Sequence, residues 1–339
     1  MRAYEMGSQS GLPSLQMAER PDLIPGPDEV VLKVRSVCLN HRDLLALSGA
    51  YGAKRPSNRI PVSDGIGEVL AVGADVVNIQ VGSRMICDHF VSWLDGPWSP
   101  NYLNRDLGIS LDGWLAEQIL VPANALVPVP DELSDEQAAP MAAAGLTAWN
   151  AVVEFGHIKA GDLVLALGTG GVSLMALNIA KLHGARVAVT SSSDEKLAMV
   201  RAMGADLTIN YKTHPDWAHV LMNANNGIGA DIVIENGGIA TLSQSIAAAA
   251  PNARIALIGA LAGNSDPALP NLNSIVVKNL ILKGITVGNR RTLVDFVRAA
   301  AANRMSSVIS RVFSFDEAAA AYAYLHAGDH IGKIMIRMF

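Results

Sequence analysis

The sequence predicts an α/β protein in which a doubly wound parallel sheet is joined to a second, mainly β, barrel-like unit. Three observations predict it. From residue 161 onward, short apolar runs alternate with helical patterns. A glycine-rich turn, LGTGGVS at 167–173, separates the first such run from the first helix. Residues 1–125, by contrast, read as short strands punctuated by Gly and Pro. Alternating strands and helices build a parallel sheet through crossovers, whereas closely spaced turn residues mark an all-β unit.

Within the β unit, 30–37 is a β-rich run interrupted by Lys33 and Arg35, and 65–73 and 81–90 continue the pattern. Residues 133–152 shift to helix. Ser134 is the expected N-cap, and Gln137 completes a capping box. Six strands of the parallel sheet are expected at 163–167, 186–190, 207–210, 231–235, 254–258 and 280–287. Helices are expected at 173–183, 194–203, 217–223 and 242–249, covering both faces. The two roughly three-stranded halves are the sole internal repetition. Beyond the sheet, 293–303 reads as helix and 306–328 as a strand followed by a helix. The terminal GKIMIRMF reads as a strand returning to pair with the first unit. The expected division is 1–122 with 291–339, and 123–290.

The chain has 339 residues, 50% hydrophobic and 17% charged, which suits two domains with real cores. A net charge of −5 without a basic block argues against nucleic acid or an anionic membrane surface as partner. Two cysteines, Cys38 and Cys87, support neither a disulfide framework nor a CxxC metal site. The opening MRAYEMGSQSGLPSL lacks a signal-peptide core, and the apolar run at 275–287 is broken by Lys278, Lys283 and Gly284. A cytoplasmic protein without a membrane partner is therefore expected.

The turn at 167–173 carries the cofactor expectation. Glycines let a backbone approach a pyrophosphate, and the following helix aims its first N–H groups at the anion. Gly168, Gly170 and Gly171 satisfy this, although Ser173 replaces the third glycine of GxGxxG. The second strand ends at Thr190, and Ser191, Ser192 and Ser193 follow where an NAD-preferring site places a carboxylate. Hydroxyls donate to a 2′-phosphate and Lys196 adds positive charge, so NADP(H) is expected over NAD(H). The same serines also read as the cap of the next helix.

Six segments extend the argument: SVCLNHRDLLALSGAYG (36–52), PVSDGIGEVLAVG (61–73), AAAGLTAWNAV (142–152), LGTGGVSLMALNIAKLHGARV (167–187), MGADLTINY (203–211) and GKIMI (332–336). In this order and spacing the chain resembles the medium-chain dehydrogenase/reductase superfamily. Within it, the chain looks like the zinc-free branch of quinone oxidoreductases and zinc-lacking alcohol dehydrogenase-like proteins. The resemblance implies a Rossmann dinucleotide-binding domain and a GroES-like catalytic domain. Zinc-dependent relatives place Cys, His and Cys where this chain has Asn40, Ser63 and Ala143, and their cysteine-rich loop is absent. No metal is expected: Cys38 reads as a core residue, and His326 and His330 as polar residues at a helix exit.

By that resemblance Asn40 faces the nicotinamide or substrate; as a bare residue it also reads as a turn former at a strand end. His41 is a candidate hydrogen-bond donor to a substrate oxygen, with a structural role as its alternative. Tyr51 is a candidate phenol donor. Asp43 reads as structural, orienting the segment or pairing with Arg42. Asp64, Trp93 and Trp98 are candidates for the substrate pocket, the tryptophans reading equally as filling for a Gly/Pro-rich loop. Cofactor contacts are expected from Asn40, Thr147, Gly168, Gly170, Gly171, Val172, Ser191, Ser192, Lys196 and Tyr211. Further contacts are expected from Asn236, Ile258, Gly259, Leu261, Val287, Asn289 and Lys333.

The implied activity is zinc-independent, NAD(P)H-dependent reduction of a small molecule, either a quinone or an activated C=C bond. A zinc-free alcohol dehydrogenase or ketoreductase is the alternative, and a cofactor-binding protein with little turnover is a third. Hydrogen-bond donors with no cation would stabilise developing charge. A homodimer formed through the last strand of the sheet is the expected assembly.

Overall fold

The computed structural model describes residues 1–52, 55–263 and 270–339. The chain divides into two compact units, Met1–Leu146 with Asn289–Phe339, and Thr147–Gly288.

Seven strands open the first unit: β1 (Arg2–Glu5), β2 (Gln16–Glu19), β3 (Glu29–Leu39), β4 (Gly65–Val72), β5 (Arg84–Cys87), β6 (Gln118–Pro122) and β7 (Leu126–Pro128). β3 is the axis of the unit. It is buried at nearly every position except Lys33 and Arg35, the two polar interruptions of its sequence. It pairs antiparallel with both β4 and β6. β7 pairs with β5, so residues just beyond 122 belong to this β unit rather than to the parallel sheet. Ser134 and Gln137 form the expected capping box, with Ser134 N–H donating to Gln137 Oε1 at 2.7 Å. The helix they start is shorter than expected. Pro140 has no N–H to donate, and wide π-type turns at Met141–Gly145 and Asn150–Glu154 flank Leu146–Trp149.

The second unit holds the parallel sheet: β8 (Leu163–Leu167), β9 (Arg186–Ser191), β10 (Leu207–Asn210), β11 (Ala230–Glu235), β12 (Ala249–Leu257) and β13 (Ile281–Gly284). Its spatial order is β10-β9-β8-β11-β12-β13, the doubly wound arrangement. All five pairings are parallel. β8 is buried at every position, as a strand covered on both faces must be. β13 is shorter than the run at 280–287, because Val287 takes a φ of 53° that no strand continues.

Two last strands, β14 (Ile309–Ser314) and β15 (Lys333–Arg337), return to the first unit. β15 pairs antiparallel with β3, setting Ile334 opposite Leu39 and Met335 opposite Cys38. The C-terminal segment also fills that unit's core, where Phe313, Phe315 and Tyr322 share one apolar cluster with Trp114. The tail is thus part of the first unit's fold, as expected of the terminal strand.

Candidate functional site

In the second unit, the turn after β8 has the form a phosphate needs. Gly168 turns the chain at a φ of 78°, open to glycine at little cost. Gly170 is the N-cap of the helix Gly171–Leu182, and a Cβ placed on it would meet no protein atom within 4 Å. The space beside Gly170 is therefore not reserved for packing. Ser173, in place of the third glycine, is buried and donates from Oγ to the Leu167 carbonyl at 2.7 Å. It locks helix to strand from within. Asn236 completes the lock, donating from Nδ2 to Ser173 Oγ at 3.0 Å. The amide nitrogen expected at a cofactor is thus engaged in holding the turn.

At the end of β9, Ser191 is buried, and Ser193 caps the helix Asp194–Ala202 by accepting from Lys196 N–H. Tyr211 N–H donates to the Ser191 carbonyl at 3.0 Å, so Ser191, Ser192, Lys196 and Tyr211 share one corner. The nearest carboxylate, Asp194, accepts from Asn210 Nδ2 at 2.7 Å. The serines both cap and line this corner. Gly168, Gly170, Gly171 and Val172 lie at the turn itself. Thr147 is buried, Leu261 is exposed, and a Cβ on Gly259 would come within 2.9 Å of the Asn236 carbonyl. Ile258 N–H donates to the Glu235 carbonyl, continuing the sheet. The Val287 carbonyl accepts from Asn150 Nδ2 at 2.5 Å.

Glu235 was not singled out from sequence. This fully buried carboxylate accepts from Gly237 N–H, Gly238 N–H and Thr241 Oγ1, and from Ser245 Oγ. It anchors the helix Ile239–Ala248 at the carboxyl end of β11.

The first unit brings the three vacated ligand positions together around Asp64. This carboxylate is fully buried. Its Oδ2 accepts from Asn40 Nδ2 at 3.2 Å and its Oδ1 from Ala143 N–H at 3.0 Å. Ser63 lies next in the chain, and its buried Oγ has no hydrogen-bond partner among the described residues. Lys333 reaches the same cluster, donating from Nζ to Asn40 Oδ1 at 2.5 Å and to the Leu39 carbonyl at 2.7 Å. Burial pushes Asp64 up to about 6, against the pull of Lys333 and the Asn40 amide. Asp43 is likewise pushed up to about 6 by burial, against Arg42 and the Asn40 N–H it accepts. Burial pushes the Cys38 thiol up to about 12, so it stays protonated.

Several expectations change here. A cation stands in the cluster: the Lys333 ammonium donates to Asn40 Oδ1. Asp64 ties segments together rather than facing a pocket. Asn40 starts the helix His41–Leu47, and its amide is engaged at both ends. Arg42 pairs not with Asp43 but with Asp106, at 2.5 Å, and its guanidinium lies 5.1 Å from the Tyr51 ring centroid. His41 is exposed. Asn289 belongs to the first unit, where its Oδ1 accepts from Thr292 N–H at 2.9 Å and caps the helix Arg290–Ala302. Trp93 stacks on Tyr102 at 5.6 Å and meets Trp98 edge-on at 5.0 Å, an aromatic cluster packed on itself.

His89 also escaped the sequence reading. It is fully buried, and neither ring nitrogen makes a hydrogen bond of good geometry among the described residues. Burial, with Arg42 nearby, holds its pKa well below the usual histidine value despite the adjacent Ala142 backbone, so the imidazole is neutral. It therefore carries one N–H donor and one free lone pair.

The residues present do not suit zinc. An amide, a hydroxyl and a methyl group stand at the three positions, and an ammonium lies 2.5 Å from the first. Among the described residues, no group of three His, Cys, Asp or Glu side chains is placed to hold a metal. In the other unit the glycine turn leaves open space beside Gly168 and Gly170, as the close approach of a phosphate requires. No helix among the described residues is long and apolar enough to cross a membrane.

Comparison with known proteins identifies the family. Residues 26–131 match the alcohol dehydrogenase GroES-like domain, and 171–302 match the zinc-binding dehydrogenase family. A zinc-type alcohol dehydrogenase-like protein of Schizosaccharomyces pombe is 40% identical over 320 residues, covering 92% of this chain and 91% of that protein. A crystal structure of an NAD-dependent alcohol dehydrogenase superposes with a TM-score of 0.91 at 31% identity, covering 100% of both chains. A quinone oxidoreductase of Pseudomonas syringae pv. tomato superposes with a TM-score of 0.83 at 26% identity, covering 99% of both chains. With a parallel sheet that opens on a glycine turn, a β unit closed by its own C-terminal strand, and relatives matched end to end, the chain belongs to the medium-chain dehydrogenase/reductase superfamily of NAD(P)-dependent oxidoreductases.

Proposed function

We propose that this protein is a zinc-independent, NADPH-preferring reductase of quinones or conjugated enones. The observation that carries the reading is the content of the three converging positions, Asn40, Ser63 and Ala143, gathered on Asp64 beside an ammonium. A site without a Lewis acid suits acceptors whose carbon is already electrophilic, because their developing charge needs the least stabilisation. The nicotinamide, when bound, supplies the hydride.

The chain's own residues have separate tasks. The amides at the start of the helix Gly171–Leu182 hold the pyrophosphate, and Gly168, Gly170, Gly171 and Val172 give it room. Ser191, Ser192, Lys196 and Tyr211 form the corner that takes a 2′-phosphate, and the absence of a carboxylate at the end of β9 favours it. Ser63 Oγ and the neutral imidazole of His89, both buried and without a partner among the described residues, are the donors assigned to a substrate oxygen. Small-molecule substrates and a cytoplasmic setting go with this reading. So does a homodimer: the edge strand β13 and the helix Leu272–Val277 expose Ile281, Leu272, Val276 and Val277.

A second reading is a zinc-free alcohol dehydrogenase or ketoreductase, favoured by the 31% identical NAD-dependent alcohol dehydrogenase. An acceptor screen separates the two. The purified protein is mixed with NADPH or NADH and either a quinone, an enone, or a plain ketone, with and without chelator. NADPH oxidation by quinone or enone, unchanged by chelator, is expected. Turnover confined to ketones or alcohols, or lost on chelation, would refute the proposal.

A further inference from the structure

Two strands of the parallel sheet end in glycine turns, and the two turns are not alike. Strand order reverses between β8 and β11, so the crevice at their carboxyl ends is where such a sheet takes a dinucleotide, one half on either side. After β8 the chain turns at Gly168, with φ 78°, and Gly170 caps the helix Gly171–Leu182. After β11 it turns at Gly238, with φ 81°, and Gly238 caps the helix Ile239–Ala248. The first turn is open: a Cβ on Gly168 or Gly170 would meet nothing within 4 Å. The second is full. A Cβ on Gly237 would strike Thr241 Oγ1, and one on Gly238 would lie 2.7 Å from Ala260 Cα.

The second turn already holds an anionic group, the fully buried side chain of Glu235. Its Oε1 accepts from Gly237 N–H at 2.8 Å, Gly238 N–H at 2.9 Å and Thr241 Oγ1 at 2.6 Å, and its Oε2 accepts from Ser245 Oγ. Backbone N–H groups and hydroxyls at the first turns of a helix are the donors that elsewhere hold a phosphate. The same segment carries the loop after β12. The carbonyls of Glu235, Asn236 and Gly237 accept from the N–H groups of Ile258, Leu261 and Ala262 at 2.9, 3.0 and 3.1 Å, and Gly259 N–H also donates to the Glu235 carbonyl. Four expected cofactor contacts, Asn236, Ile258, Gly259 and Leu261, are therefore placed by residues 235–237.

We infer that Glu235 is a positioning residue for the nicotinamide half of the cofactor. Its carboxylate takes the anion place at the second turn, holds the end of β11 and the loop after β12 in one form, and leaves the pyrophosphate to the turn after β8. A phosphate brought to the second turn would meet a like charge at close range. That the crevice takes a nicotinamide dinucleotide rests on the reductase reading proposed above.

The test separates the two halves of the cofactor. Full-length natural protein and Glu235→Ala are titrated by fluorescence with NADPH and with adenosine 2′,5′-bisphosphate, which carries the adenosine half alone. Thermal unfolding checks that each protein is folded. Glu235→Ala is expected to weaken NADPH at least about tenfold and the bisphosphate less than about threefold. Formate, a carboxylate small enough for the space left by the side chain, is expected to raise the Tm of the variant and recover part of its NADPH affinity, where chloride at equal ionic strength does neither. Equal weakening of both ligands, unchanged NADPH affinity, or formate acting like chloride would overturn the inference. Should Glu235→Ala fail to fold, Ser245→Ala removes one donor and keeps the carboxylate. The same split between the two ligands, in smaller measure, is expected there, and its absence would overturn the inference. If the natural protein binds neither NADPH nor NADH, the reductase reading falls and the positioning role with it. If the natural protein binds NADPH and the variants show no split, this inference alone falls.

Discussion

Replacing Gly170 by alanine tests whether the glycine turn is built for a ligand or for the fold. Gly170 sits at φ −79° and ψ 179°, a conformation any residue adopts. Its added Cβ meets no protein atom within 4 Å. Alanine gains roughly 0.4–1 kcal/mol from the unfolded chain and loses a similar amount as a poorer N-cap, so the net change is within about 1 kcal/mol. Gly168 makes the contrast: at φ 78°, alanine is strained by about 1–2 kcal/mol. Against a bound dinucleotide the order reverses. On the proposed reading a methyl on Gly170 would stand where the phosphate approaches, and losing one charged hydrogen bond there is worth ~1.5–3 kcal/mol, about tenfold to a hundredfold in Kd. Calorimetric unfolding and NADPH titration of both variants measure the two effects. A Gly170→Ala protein that binds NADPH like the natural one would show that the space was not held for a phosphate. A large loss of stability would show that it was not open.

Three further variants probe other parts. Lys196→Ala should raise KM for NADPH about tenfold and leave that for NADH nearly unchanged; equal rises would remove Lys196 from the 2′-phosphate corner. His89→Phe deletes two ring nitrogens without partners, so stability should hold or rise while turnover falls; marked destabilisation in unfolding experiments would mean that those nitrogens are bonded. Asp64→Asn addresses pH. The folded carboxyl titrates at about 6 against 3.8 for its ordinary value, so between those pH values the folded state holds the extra proton. Stability from this group is therefore greatest below about 4 and declines as pH rises to 6. The stability difference between Asp64→Asn and the natural protein should move in the variant's favour over that window by up to about 3 kcal/mol, and a flat difference would contradict the burial argument.

The parallel sheet was legible because each of its strands carries its own signal. β8 is apolar at every position, glycines follow it, and helices punctuate the rest. The returning tail was legible from the apolar run GKIMIRMF at the end of the chain. The extent of the helix after Ser134 was not, because Pro140 interrupts the apolar, alanine-rich stretch with wide turns that no periodicity announces. The first unit's polar cluster was legible only in part. Asn40, Ser63 and Ala143 stand out by comparison with metal ligands, but their partners depend on tertiary register. Lys333 reads from sequence as a cofactor contact, with no hint of a tie to Asn40. Only the pairing of β15 with β3 brings Lys333 to Asn40. His89 gave no signal at all, since a lone histidine after an apolar strand is common in cores. Arg42 misled through proximity: its neighbour Asp43 faces the start of its own helix, and the arginine reaches Asp106, 64 residues away.

Buried charge is a poor way to stabilise a protein, and that bears on why this cluster exists. Withdrawing two carboxylates and an ammonium from water costs several kcal/mol per ion, and their mutual attraction repays it only with good hydrogen bonding. Apolar side chains of similar volume would fill the same space at equal or better stability. Both Asp64 and Asp43 titrate above their ordinary range, which shows that burial outweighs the attraction of Lys333 and Arg42. Burial thus offsets much of what these attractions contribute to folding. What the cluster provides in return is direction: a fixed charge, and an amide and a carboxylate in set orientations, beside Ser63 Oγ, a hydroxyl without a partner among the described residues. A site organised by a metal obtains the same order from coordination bonds. Here the Asn40 amide joins Asp64 to Lys333 through side chains, so a single substitution at residue 333 would disturb it.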